Sequence, residues 1–265
     1  MTPSLHIASL GLRVSDLARS VDFYARQCGF VARADGNRRA LLATSAEAAP
    51  LLILEEDATA PLPPRDAAGL FHAALLFPSA ASLGGWLRLA ASQGVEFDGF
   101  SDHGVSQAIY FSDPDGNGLE FYADRPRSQW PYQNGEIAMV TRPLALPQLL
   151  AGAAAPADEP LAGANWGHVH LRVTDLERSE AFYGQAFGMA VMQRSFPGAR
   201  FLATDGYHHH LGLNVWGHPR QSRPAGALGL SHIAFARPGE FAPHELADPD
   251  GMALRIAPME VLAPK

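Results

Sequence analysis

Apolar and polar positions change period early in the chain. Leu10, Leu12 and Val14 alternate with Gly11 and Arg13, the period of a half-buried strand. From Leu17 the apolar positions step to Val21, Tyr24 and Cys28, one face of a helix. Ser15 reads as the N-cap of that helix and Gly29 as its end. The same switch returns at 170–190, with Thr174 as N-cap, Glu177 completing a capping box and Gly188 closing the helix. Further strand-like runs are LLILEE at 51–56, Leu70–Leu76, Ala108–Phe111, Gly118–Tyr122 and HHLGLNVW at 209–216, with a helix expected around Ala81–Gly94.

The two switches are copies of one segment. GLRVSDLARSVDFYARQCGFV at 11–31 matches HLRVTDLERSEAFYGQAFGMA at 170–190 with an offset of 159. GLFHAAL at 69–75 matches GLSHIAF at 229–235, and DPDG occurs at 113–116 and again at 248–251. Three matches in the same order mark a duplication. The expected fold class is α+β: four βαβββ modules in two tandem copies, paired into curved-sheet cups. The last module is truncated, since His232 to Asp248 spans 16 residues against 41 from His72 to Asp113. The expected organisation is copy one over 1–125, a Pro-, Ala- and Gly-rich connector over 126–163, and copy two over 164–265. DPDG itself reads as a turn, so Asp113 and Asp115 need no catalytic role.

Composition narrows the functional classes. Among 265 residues, 47% are hydrophobic and 18% charged, which suits a packed core and excludes bulk disorder. A net charge of −7 argues against phosphate-gripping nucleic-acid binding. The one cysteine, Cys28, excludes an internal disulfide and a thiolate zinc cage. Met1 to Ile7 carries no cationic patch leading into an apolar run, and no apolar stretch reaches membrane-span length. The expectation is a cytoplasmic protein with neither nucleic acid nor membrane as partner.

The pattern HxxLxVxDLxxSxxFY before a helix, with DPDGNGLE closing a later strand, resembles the vicinal oxygen chelate superfamily of glyoxalase I, extradiol ring-cleaving dioxygenases and bleomycin-resistance proteins. Residues 103–120, HGVSQAIYFSDPDGNGLE, resemble the extradiol signature, in which a histidine and a tyrosine precede an iron-ligating glutamate. His103, Tyr110 and Glu120 occupy those places, while Ser101 departs from the usual pattern. YADRPRSQW at 122–130 and YHHHLGLN at 207–214 are similar to stretches of bacterial catechol 2,3-dioxygenase-like members.

The resemblance implies a metal held by first-strand histidines and a last-strand glutamate of paired modules. Module one offers Ser9, module two His72 and Glu120, module three His168, and module four His232 with Arg255. Pairing in chain order leaves neither cup with a triad. Pairing module two with three unites His72, Glu120 and His168, and leaves Ser9, His232 and Arg255 as a metal-free relic. The crossed arrangement is preferred for that reason, and chain-order pairing stays open. Two histidines and one carboxylate suit Fe(II), with Mn(II) the next choice. The resemblance further implies His209 as acid/base with His210 as the alternative, and Tyr110 and His103 as hydrogen-bonding partners of substrate or oxygen. His208 and His170 would stand beside them. The implied reaction is extradiol cleavage of a small aromatic diol by O₂. Rival readings are a glyoxalase-like isomerase or lyase using Zn(II) or Ni(II), and a non-catalytic drug-binding protein. Members of the superfamily often dimerise, so a homodimer is compatible with the resemblance.

Overall fold

The structure is a computed structural model that describes residues 5–155 and 157–259, so the first four residues of the N-terminal segment read above lie outside the described residues. Module one runs β1 (His6–Val14), α1 (Leu17–Asp22), β2 (Val31–Ala34), β3 (Arg39–Ala43) and β4 (Leu52–Glu56). Module two runs β5 (Gly69–Phe77), α2 (Ala80–Ser92), β6 (Phe97–Asp102), β7 (Ser106–Ser112) and β8 (Gly118–Asp124). Between the copies lie β9 (Tyr132–Gln133), β10 (Glu136–Ile137), β11 (Arg142–Pro143) and α3 (Leu146–Ala151). Module three comprises β12 (Asn165–Arg172), α4 (Leu176–Phe187), β13 (Ala190–Gln193), β14 (Ala199–Ala203) and β15 (Leu211–Asn214). Module four runs β16 (Gly229–Arg237), β17 (His244–Ala247) and β18 (Ala253–Pro258), with no helix between β16 and β17. None of the helices is long and apolar enough to cross a membrane among the described residues.

Two large sheets and a two-stranded β9–β10 ribbon result, and the strand orders of the large sheets settle the pairing. One sheet is β17-β18-β16-β1-β4-β3-β2, and the other is β11-β6-β7-β8-β5-β12-β15-β14-β13. Module one therefore joins module four, and module two joins module three. Each junction is an antiparallel pair of first strands, β1 with β16 and β5 with β12. Both junctions are bulged at corresponding places, between Ile7 and Ser9 and between Trp166 and His168. A bulge re-aims the side chains beyond it, so the two copies also share their aim into each cup.

The stretch between the copies is folded rather than a bare connector. β11 extends the edge of the nine-stranded sheet through Arg142 and Pro143, opposite Asp102 and Ser101 on β6. Trp130, Ile137 and Met139 pack with Val105, Ala199 and Phe201 in a core cluster of their own. The main core is one continuous cluster spanning both sheets. Trp86 on α2 packs against Phe121 with ring centroids 4.5 Å apart, and its indole donates to the Cys28 carbonyl at 2.9 Å. Trp166 similarly donates to the Leu51 carbonyl across the two sheets.

The recurring polar residues clamp partner sheets together. Asp16 and Asp175, rather than Ser15 and Thr174, cap the helices, accepting from the backbone N–H of Arg19 and Arg178. Ser15 and Thr174 stand one residue too early for that geometry. Each instead donates its hydroxyl and backbone N–H to an aspartate of the distant DPDG turn, Ser15 to Asp115 and Thr174 to Asp250. Arg19 and Arg178 join the same carboxylates. The first aspartate of each turn receives a buried tyrosine hydroxyl, Tyr24 to Asp113 at 3.0 Å and Tyr183 to Asp248 at 2.9 Å. After Asp22 the first helix widens into a π-helical turn over Phe23–Gln27, which α4 lacks.

Asp250 is 3% exposed and accepts three hydrogen bonds, two from Thr174 and one from the Arg178 guanidinium. Replacing it with Ala leaves the half-buried Thr174 donors and the exposed Arg178 guanidinium unpaired, and unfolding in urea should show a loss of about 1–2 kcal/mol. A loss near zero would mean the clamp is dispensable.

Candidate metal centre and its cavity

Three adjacent strands, β8, β5 and β12, carry the implied triad. Glu120 and His168 both lie opposite Ala74 in the ladder, on either side of β5. His72, two residues before Ala74, shares its face of the strand. Glu120 Oε2 lies 3.0 Å from His72 Nε2 and 3.1 Å from His168 Nε2. One ligand atom from each residue falls within 4.8 Å of the others, and all three side chains are buried. His168 Nε2 makes a hydrogen bond to the carboxylate, whereas His72 Nε2 is buried without any hydrogen-bond partner despite its short distance. Convergence of two imidazole nitrogens and a carboxylate oxygen on one point, with one of them orphaned, suits a shared cation better than a hydrogen-bond network.

The electrostatics agree with that reading. Burial alone would raise the Glu120 carboxyl, but the facing imidazoles of His168 and His72 outweigh it and hold the group well below its ordinary range. Burial pushes His168 down to about 4 against the opposing pull of Glu120. At neutral pH the site thus offers an ionised Glu120 carboxylate and a neutral His168 imidazole, the forms that bind metals.

A cavity of about 490 Å³ opens over the triad. Phe71, Phe201, Trp216 and Met139 line its apolar walls, and Tyr110, His170 and His209 line it on the polar side. Tyr110 sits directly opposite Glu120 in the β7–β8 ladder. Its hydroxyl is 2.7 Å from His103 Nε2, and His103 Nδ1 is 2.7 Å from the Val140 carbonyl. A carbonyl can only accept, so His103 donates from Nδ1, and in that neutral tautomer its Nε2 accepts a hydrogen bond from the Tyr110 hydroxyl. Burial, reinforced by Glu120, raises the Tyr110 phenol well above its usual value, so it stays protonated.

The histidine run lies in the turn before β15, not on the strand, so strand alternation does not choose among its members. His209 lines the cavity with its ring 4.0 Å from that of His168. His208 is fully buried behind it, with Nδ1 2.7 Å from His209 Nδ1 and Nε2 2.8 Å from Asp124 Oδ1. His210 packs on Tyr207 and accepts from the Thr204 backbone N–H, away from the cavity wall. His170 is buried against His72, with its ring over Gly212, where a Cβ would meet the imidazole at 2.7 Å.

The other cup occupies the same ladder positions with different chemistry. Ser9 and Arg255 both face Ala234, as His168 and Glu120 face Ala74. Arg255 Nη1 lies 3.0 Å from His232 Nε2, so a guanidinium stands where the first cup has its carboxylate. Gly11 takes the place of His170, and the His232 ring fills the space so closely that a Cβ at Gly11 would lie 2.2 Å from it. His72, Glu120 and His168 are the metal-capable group found among the described residues, and this second cup contributes none.

Asp124 and the aromatic walls Phe71, Phe201 and Trp216 were missed in the sequence. Asp124 sits within the YADRPRS stretch, four residues past Glu120, where a carboxylate at a strand end is a usable signal. The aromatics carry no such signal, because core aromatics occur in the same strand patterns.

The family model described as the Glyoxalase/Bleomycin resistance protein/Dioxygenase superfamily matches residues 5–121 and 165–239. The chain belongs to this superfamily. A catechol-2,3-dioxygenase of Bacillus subtilis (strain 168) is 38% identical over 239 residues, 88% of this chain and 83% of that protein. The fold is also that of glyoxalase I from Zea mays, with a TM-score of 0.58 at 17% identity over 98% of this chain and 95% of that one. The cppA protein of Streptococcus pneumoniae TIGR4 aligns with a TM-score of 0.57 at 11% identity, covering 97% of this chain and 99% of that one. Superfamily membership and the dioxygenase relative imply a divalent metal, and the donor set of His72, Glu120 and His168 fits one.

Burial, with Arg255 beside it, pushes His232 down to about 4 from an ordinary 6.5. Between those values the unfolded chain binds a proton that the folded chain refuses, so this histidine makes stability rise with pH across the window and fall on acidification. Urea unfolding of the metal-free protein at pH 5 and pH 7 should therefore show a smaller acid loss in His232→Gln than in wild type. The slope should flatten by at most about 1.4 kcal/mol per pH unit. Equal slopes would mean that His232 is protonated in the fold.

Proposed function

We propose that this chain is an extradiol-type dioxygenase that opens a small catechol-type aromatic diol with O₂, using Fe(II) held by His72, Glu120 and His168. The observation that carries the reading is one carboxylate and two imidazoles converging beneath an apolar cavity that His209 and Tyr110 also line. Fe(II), when bound, supplies the redox partner that lets an electron-rich diol react with O₂, and three protein ligands leave open positions for both.

The residues around the triad fit that chemistry. Phe71, Phe201 and Trp216 provide flat apolar surfaces for an aromatic ring and exclude water from it. His209 Nδ1 is engaged by His208, which leaves Nε2 to accept a proton from a diol hydroxyl. Tyr110 is anchored by His103, so its oxygen holds a fixed position beside Glu120. Mn(II) would fit the same donors.

A glyoxalase-like isomerase or lyase on Zn(II) or Ni(II) has less support. The cluster contains a single carboxylate, and Glu55 and Glu56 lie on β4 in the other sheet. A purely binding protein would have no use for a buried triad with an orphaned imidazole nitrogen.

Anaerobic reconstitution with Fe(II), followed by catechol and O₂, should give oxygen uptake and a yellow ring-opened product. His72→Ala should lose both the iron and the colour. Iron bound by wild type without turnover on a panel of diols would overturn the dioxygenase reading, and no metal bound at all would overturn the site. His209→Asn should retain iron while kcat falls about 100- to 10,000-fold. An unchanged kcat would remove His209 from the chemistry.

A further inference from the structure

The run of three histidines connects to a carboxylate that the metal centre does not use. Asp124 ends β8, the strand that carries Glu120. Its Oδ1 meets His208 Nε2 at 2.8 Å, and His208 Nδ1 meets His209 Nδ1 at 2.7 Å. His208 is fully buried and walled by Trp130, Tyr122 and Tyr207, with ring centroids 5.2, 6.1 and 4.1 Å away. No other side-chain hydrogen bond competes for either His208 nitrogen among the described residues.

We propose that Asp124 and His208 are positioning residues that fix the tautomer of His209, so that its Nε2 faces the cavity as a lone-pair acceptor. The consequence for catalysis rests on the dioxygenase reading; the tautomer itself does not. An ionised carboxylate only accepts, so His208 must donate its proton from Nε2. A neutral His208 then presents a lone pair at Nδ1. Two ring nitrogens 2.7 Å apart need one proton between them, and it must come from His209 Nδ1. His209 is left with its second nitrogen unprotonated, and this is the form that can take a proton from a bound hydroxyl.

The chain of bonds has a direction, and Asp124 sets it. An Asn amide at 124 can turn its NH₂ toward His208 Nε2 and donate. His208 would then carry its proton on Nδ1 and give it to His209 Nδ1. His209 would present an N–H to the cavity where an acceptor is needed. The substitution is isosteric, and because the Tyr207 hydroxyl also faces this carboxylate, the comparison with Asp124→Glu separates direction from structure. Glu at 124 keeps the accepting oxygen.

The test begins on metal-free protein labelled with ¹⁵N-histidine, read by long-range ¹H–¹⁵N correlation, with the two signals assigned by their loss in His208→Gln and His209→Gln. Wild type should show His208 protonated only at Nε2 and His209 only at Nδ1. Asp124→Asn should exchange both patterns, and Asp124→Glu should keep the wild-type ones. A wild-type His209 protonated at Nε2, or a His208 protonated on both nitrogens, would overturn the proposal without any variant having to fold. With Fe(II) and catechol, Asp124→Asn should lower kcat at least about 100-fold at nearly unchanged KM, the outcome expected when a catalytic histidine is held in the wrong tautomer. Asp124→Glu should recover most of the rate. Exchanged tautomers with an unchanged kcat would overturn the catalytic half. Wild-type tautomers as expected in a protein that turns over no diol would support the relay and count against the dioxygenase reading instead.

Discussion

Everything at the centre depends on the antiparallel pairing of β5 with β12. That ladder sets His72 and His168 on neighbouring strands, and the parallel neighbour β8 brings Glu120 into the same row. A shift of one residue would turn every one of these side chains to the opposite face. The bulge between Trp166 and His168 is part of the same specification. The junction is also where the two gene copies meet, so neither copy contains the centre alone.

The duplication shows how one scaffold supports two outcomes. Both cups have the same antiparallel first-strand pairing, bulged at corresponding places, and the same tyrosine–aspartate clamp. Beyond the shortening of module four, the metal centre is lost through a few inward positions: Ser9 for His168, Arg255 for Glu120 and Gly11 for His170. An arginine cannot ligate a cation, and here it donates to the one remaining histidine. The second cup has become a structural half whose clamps and core hold the first in place. Its own strands β16 and β18 continue the sheet without a helix between them.

Around the triad, the protein surrounds a charged centre with groups that are polar at one end and apolar at the other. Tyr110 is held by His103, which is held by the Val140 carbonyl of the folded inter-copy segment. Met139 from that segment also reaches the cavity wall. What reads as a linker in sequence thus supports one side of the site, while Phe201 on β14, His209 in the turn before β15 and Trp216 after it supply the other.

The sequence by itself determined the duplication, the module pattern and the truncation of module four, because strand and helix periods and turn residues are local properties of the chain. It also nominated His72, Glu120 and His168, since a family pattern and a first-strand position identify them one at a time. Only the tertiary structure decided that modules pair crosswise, because partner choice between first strands leaves no mark in either strand's own period. The same holds for Ser15 and Thr174, read as caps but bonded to aspartates 100 and 76 residues away. Asp124 shows the limit most plainly: its partner is 84 residues distant, and the proton direction it imposes on His208 exists only once the fold has set them 2.8 Å apart.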